Sequence, residues 1–407
     1  MKPLIIKNAT VVTPDVVLTN TSILIENGVI AGIGTDAEER DDITVIDAEG
    51  SILMPGIIDI HTDALESEII PRPGADIPVA VALRELERKM SGCGFTTVYH
   101  SIHLGYDTAV EHSRSRISRE EVFEQVGRLS QGETLINNKI HLRFELTGVH
   151  AYETCFELMD KGIITMLSVM DHTPGQGQMS KEQAMKFFTQ HLGKTKEEAE
   201  KILEERLTKP IIEGEKLEAM IAHAQKLHIP VASHDDDTVE KVNYMHSLGV
   251  DICEFPINME TAKHATQIGM HVVGGASNIL RGGSLSGNLD IKDAILDNAV
   301  DTLCSDYYPP AILYSVFKLH REHDLPLPEA VNLATLNPAM AAEIDHYTGS
   351  IEAGKDADLI LVKLVDGLPM VTHTIVKGQV VTQATFKVNT TQSLKHNDNL
   401  SVINELQ

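Results

Sequence analysis

The sequence predicts an α/β fold: a (β/α)8 barrel with a small β-sandwich domain built from both chain ends. Three observations predict it. From about residue 56 to residue 345, short apolar runs alternate with helical stretches, the pattern of a parallel sheet wrapped in helices. At both termini, apolar and polar residues alternate between Gly-containing turns, as in antiparallel strands. Histidines and carboxylates recur at the ends of the central strands, where such barrels keep their chemistry.

Residues 1–55 begin the sandwich with PLIIKNATVV, DVVLTNTSILIENGVIAGIG and ITVIDAEGSILMPG, broken at Asn27-Gly28 and Glu49-Gly50. Lys7 interrupts the first apolar run and no small-residue cleavage site follows, so the start reads as a strand and not a signal peptide. The barrel, residues 56–345, is expected to use GIIDIHTD, GFTTVYHSI, KIHLRFEL, GIITMLSVM, HIPVASH, VDICEF, MHVVGGA and AVDTLCSD as strands. IPVAVALRELERKMS, GEKLEAMIAHAQKLH and TVEKVNYMHSLG read as helices between them. Residues 180–210 are a charged helical insertion, longer than a barrel connection needs, with Ser180 and Gln183 spaced as a capping box. It is either a surface hairpin or a lid. Residues 346–385, with MVTHTIVKGQVV and a turn at Lys377-Gly378, complete the sandwich, and 386–407 read as a loosely ordered polar tail.

Composition narrows the function. A chain of 407 residues exceeds one ordinary core. Its formal charge of −25 argues against nucleic-acid partners, although a phosphorylated small molecule could still bind at a local positive site. No apolar stretch is long enough to span a membrane. The 4 cysteines form no CxxC, which fits a reducing cytoplasm and leaves zinc binding to other ligands.

The strand ends supply such ligands. GIIDIHTD ends in His61 and Asp63, KIHLRFEL carries Glu145, and MLSVMDHTPG brings His172. IPVASHDDD ends in His234, and VDTLCSDYYP in Asp306. Their spacing of one or two βα units can place all of them around one mouth. Imidazole nitrogens and carboxylate oxygens suit Zn, Mn or Fe. A bridging Glu145 could hold two divalent ions, and Asp306 could ligate one and take a proton from water. Taken singly, each has a plainer reading. One of Asp235 to Asp237 is expected to cap the following helix, and Glu145 could pair with Arg143. His100, His103 and His150 read as structural, and Cys253 and Cys304 as small hydrophobes.

PGIIDIHTD and GSIEAGKDADLILV resemble the first-strand motif and the closing segment of the amidohydrolase superfamily, which pairs a metal-dependent (β/α)8 barrel with a sandwich from both chain ends. Two departures stand out. The usual His-x-His is here His61-Thr62-Asp63, and the usual carboxylated lysine is answered by Glu145, expected in the fourth-strand region. HTDALESEIIPRPG, SVMDHTPGQGQ, ASHDDDT, EFPINMETA, GASNILRGGSLSGN and CSDYYPPAIL together resemble a narrower group, the ribose-triphosphate diphosphatases of bacterial phosphonate breakdown.

That resemblance implies a phosphorylated ribose substrate, cleaved to its 5-phosphate and diphosphate, and two divalent metal ions as cofactors. A homodimer is expected for a barrel of this kind. Asn278, Arg281, Gly282, Gly283 and Ser284 follow the seventh strand, a frequent phosphate site, and read as a cradle. Arg72 is placed to reach another phosphate, and Tyr307 and Tyr308 to bond substrate or to pack. Two other readings remain open: a C–N hydrolase using the arginine on a substrate carboxylate, and a noncatalytic scaffold, which would have no need of a metal ring.

Overall fold

The computed structural model describes residues 2–34, 43–72, 74–105, 117–177, 180–191, 193–284 and 287–387. Most of the expected polar tail therefore lies outside the described residues.

The first sheet joins the two ends of the chain. β1 (Leu4–Val12) pairs antiparallel with β2 (Val17–Glu26) and parallel with β4 (Thr44–Asp47) and β5 (Ile52–Pro55), and β3 (Val29–Ile33) edges β2. β14 (Leu359–Val365) docks antiparallel on β5, with Leu359 opposite Pro55, and β15 (Leu368–Val376) and β16 (Gln379–Gln383) follow outward. Alternation along β14 explains its central place. Leu359 and Leu361 join Leu4, Ile6, Ile23 and Leu53 in the sandwich core. Ile360 and Val362 turn the other way, toward Met54, Met90 and Phe95 in the barrel's outer core. One strand thus buries apolar side chains on both faces and seats the sandwich on the barrel.

At Pro55-Gly56 the chain leaves this sheet. A Cβ on Gly56 would lie 2.1 Å from Thr96 Cγ2, so only glycine fits there. The second sheet has eight strands in sequence order, from β6 (Ile57–Thr62) to β13 (Thr302–Cys304), every pair parallel. It closes on itself. Asp63 N–H donates to Asp306 O at 2.8 Å and Asp306 N–H to His61 O at 3.1 Å, so the seam of the barrel passes through three residues expected in the site. Ile58, Ile60, Tyr99, Met166, Ala232, Ile252, Val273 and Cys304 fill the interior. Side chains of helix Val79–Gly92 pack outside.

The insertion is a hairpin of helices Lys181–Lys186 and Lys196–Leu207, the first running on through a π turn, Phe187–His191. The capping box expected at Ser180 and Gln183 is present, and Thr195 with Glu198 makes a second. Ala184, Phe188 and Ala199 give the hairpin a small core of its own. Among the described residues, no helix is long and apolar enough to cross a membrane.

Candidate active site

Several barrel strands end by delivering polar side chains to the same mouth. On β6 the ladder with β7 (Phe95–Leu104) shifts register between Asp59 and Thr62. A shift of this kind re-aims side chains, and here His61 follows the interior residue Ile60 and still reaches across the barrel. Its Nδ1 lies 3.2 Å from Glu254 Oε1 at the end of β11 (Ile252–Glu254). On β8 (Asn137–Glu145), His141, Arg143 and Glu145 occupy alternate positions. β10 (Val231–His234) ends in His234. Asp235, Phe255 and Asp306 each follow a strand with a left-handed backbone, φ 54°, 53° and 56°. That is tolerable for aspartate and unusual for phenylalanine, and such strain concentrates at functional sites. The Phe255 ring packs 4.9 Å from His61 and 5.2 Å from His234, centroid to centroid.

Among the described residues the donors fall into three groups, each with its ligand atoms within 4.8 Å of one another: His61, Asp63 and Asp306; His172, His234 and Asp235; and His61, His141 and Glu254. The His61 and His234 rings are 5.7 Å apart, as are those of His172 and His234, so the groups adjoin.

Five expected metal residues, His61, Asp63, His172, His234 and Asp306, thus fall within these groups. Glu145 does not. It closes β8, the third barrel strand and not the fourth, and its Oε2 sits 2.6 Å from His172 Nδ1 while Oε1 accepts the His172 backbone N–H at 3.1 Å. The carboxylate therefore fixes the His172 ring and turns Nε2 toward Asp235 Oδ2, 3.8 Å away. Arg143 pairs with Asp63 at 2.7 Å and leaves Glu145 to His172. The helix Val239–Ser247 is capped by the Thr238 side chain, not by any of Asp235 to Asp237. Asp235 is released to stand 3.2 Å from His234 Nδ1, and Asp236 pairs with Lys241.

The chemistry of this set fits divalent cations. His141 Nδ1 lies 2.8 Å from Ile60 O, so this nitrogen is assigned the proton and Nε2 the lone pair. His141 Nε2 and both His234 nitrogens are buried without a well-aligned hydrogen bond among the described residues. Burial, with Arg143 nearby, holds His61 well below the ordinary histidine range, and burial takes His141 down to about 4. Neutral imidazoles are the form that binds metal. Burial opposes protonation of His234 too, but Asp235 outweighs it and raises the group. Asp306 is pushed up to about 6 by burial and then by Asp63.

The residues expected to bind phosphate take other geometry. Ala276–Arg281 is a short helix, and Gly282, φ +85°, ends it in the left-handed region. The Gly282 and Gly283 amides donate to Asn278 O at 3.1 and 2.9 Å, so in this conformation they close the helix and do not form an open cradle. Asn278 uses both ends of its amide on Leu289 O and Ile291 N, and Ser284 Oγ accepts from Asn288 N. Arg281 is exposed and donates to Ser277 O and Gly283 O. Arg72 is exposed in the turn before Val79–Gly92, and Tyr307 and Tyr308 are half-exposed beside Asp306.

His141 and Glu254 escaped sequence reasoning, although both left a signal. His141, Arg143 and Glu145 stand two apart on one strand, and Glu254 ends DICE as His234 ends VASH. His103, by contrast, is turned to Glu66 at 3.1 Å, and buried His100 to Asn138 at 2.8 Å.

A closed parallel barrel seated on a sheet from both chain ends, with histidines and carboxylates around one mouth, defines a metal-hydrolase architecture. The chain belongs to the amidohydrolase family, whose pattern matches residues 52–381. It is 32% identical over 379 residues to the alpha-D-ribose 1-methylphosphonate 5-triphosphate diphosphatase of Escherichia coli (strain K12), covering 89% of this chain and 99% of that protein. Among solved structures it resembles a Xaa-Pro dipeptidase with bound methionine (TM-score 0.64, 16% identity, 94% of this chain and 100% of that one). It also resembles a D-hydantoinase (TM-score 0.63, 14% identity, 95% and 96%).

Proposed function

We propose that this chain hydrolyses a phosphoanhydride bond of α-D-ribose 1-methylphosphonate 5-triphosphate, releasing diphosphate and leaving the 5-phosphate. One observation carries the reading: similarity to the E. coli diphosphatase extends over nearly the whole of both chains, at an identity well above that of the structural neighbours. Hydantoinase and dipeptidase likenesses at this low identity speak for the fold alone.

Two divalent ions, Zn, Mn or Fe, held by the donor groups would polarise phosphoryl oxygens and make water a nucleophile at neutral pH. Around them the chain's own residues have distinct tasks. Glu145 keeps the His172 ring in one orientation. Asp306 takes the proton of the attacking water. The water oxygen bonds to the α-phosphorus as the bond to the bridging oxygen breaks, and diphosphate leaves with that electron pair. Arg281 and Arg72, both exposed, are the proposed contacts for the outer phosphates, with Asn278, Ser284, Tyr308 and the Gly282-Gly283 loop framing them.

The test is phosphorus NMR of the metal-loaded protein with the ribose triphosphate. Diphosphate and a 5-phosphate as sole products are expected. Orthophosphate with a 5-diphosphate would move attack to the γ-phosphorus. No turnover with any metal, together with turnover of a cyclic amide, would replace this reading by C–N hydrolysis.

A further inference from the structure

Arg143 is a charged side chain in an unusual position. It lies on β8 between His141 and Glu145, inside the ring of candidate metal ligands, and is only 7% exposed. Its Nη1 donates to Asp63 Oδ1 at 2.7 Å. Its Nε donates only to the thioether sulfur of Met170 at 3.3 Å, a weak acceptor. The remaining guanidinium N–H groups, both on Nη2 among them, find no acceptor among the described residues. Nη2 is not fully enclosed, so this edge of the otherwise buried guanidinium keeps access to solvent and offers a charged fork to an incoming anion. Asp63 belongs with His61 and Asp306 to one donor group, so an anion held there lies next to the guanidinium.

We infer that Arg143 binds a phosphoryl oxygen of the substrate beside the metal ligands and so makes this mouth selective for phosphoanhydrides over neutral amides. The inference deepens the proposed function and rests on its reading of the substrate as a phosphate-bearing molecule. It also gives a reason for aspartate at position 63. A neutral histidine there could accept one N–H but would bring no charge to pair with the guanidinium, whereas a carboxylate neutralises it and leaves its other edge to the substrate. The planar fork matches two oxygens of a tetrahedral phosphoryl group.

The test uses the intact metal-loaded protein and inorganic phosphate as the probe, followed by isothermal titration calorimetry with metal content measured in parallel. Arg143→Gln is expected to keep its metal stoichiometry and to bind phosphate at least about tenfold more weakly. Unchanged phosphate affinity would overturn the inference. So would lost metal with unchanged affinity in the sites still loaded, because Arg143 would then serve only to position Asp63. Acetate bound as tightly as phosphate would overturn the assignment to a phosphoryl group. If Arg143→Gln does not fold, Arg143→Lys replaces it: intermediate affinity supports the inference, and affinity equal to the parent overturns it. Weaker phosphate binding in the variant, with no turnover of ribose triphosphate by the parent, would keep this inference and defeat the proposed function.

Discussion

At the scale of single residues, orientation matters as much as ligand type. Replacing Glu145 by Gln keeps the size and removes the charge that holds His172 Nδ1. Metal affinity is expected to fall about 10–100-fold, the usual cost of losing a carboxylate behind a ligating histidine. Competition with a chelator measures it. Asp306→Asn keeps the seam hydrogen bonds of residue 306, which run through its backbone N–H and C=O, and removes the proton acceptor. Turnover is expected to fall about 10²–10⁴-fold while the circular dichroism spectrum shows the fold intact. Near-normal turnover would defeat the role given to Asp306. The ligand types were legible in the sequence because histidine and aspartate at strand ends share one grammar. Which nitrogen of His172 faces inward was not, because it depends on a contact between residues 27 positions apart in the chain. Nor was the release of Asp235, which turns on Thr238 and not an aspartate taking the cap.

At the scale of elements, the connection after β9 (Met166–Met170) couples the helical hairpin to the site. Gly177 has φ +56°, and a Cβ there would lie 2.8 Å from Asp235 Cβ. Gly193, at the far end of the hairpin's first helix, has φ +63°, and a Cβ there would meet nothing within 4 Å. The pair separates backbone strain from contact. Both Gly177→Ala and Gly193→Ala incur about 1–2 kcal/mol of left-handed strain. Only Gly177→Ala pushes on Asp235, so only it is expected to weaken metal binding. Equal metal affinity in the two variants would show that this loop does not bear on the site. The hairpin's existence and its first cap were readable from Ser180, Gln183 and the charged periodicity. Its relation to the site was not, because the decisive contact is made by a glycine with no side chain to betray it.

At the scale of the whole molecule, one buried carboxylate ties the closing sandwich to the barrel. Asp358 Oδ1 accepts the Lys377 N–H at 2.8 Å. Oδ2 accepts from Thr348 Oγ1 at 3.1 Å and from Asn137 Nδ2, on barrel strand β8, at 3.3 Å. Its backbone oxygen receives the Gly56 N–H at the point where the chain enters the barrel. The group is 3% exposed, and burial pushes it up to about 6 from an ordinary 3.8, against the pull of those hydrogen bonds. A carboxyl raised in the folded state binds its proton more tightly there than in the unfolded chain. Its contribution is therefore least unfavourable below about pH 4, and the cost grows as pH rises through 6. An Asp358→Asn variant has no proton to lose. Comparing parent and variant by urea unfolding, the parent is expected to lose roughly 2 kcal/mol relative to the variant between pH 4 and 7. Most of that change should fall between pH 4 and 6. A constant difference across that range would mean that the carboxylate stays charged in the fold, and that the hydrogen bonds from Lys377, Thr348 and Asn137 fully offset its burial.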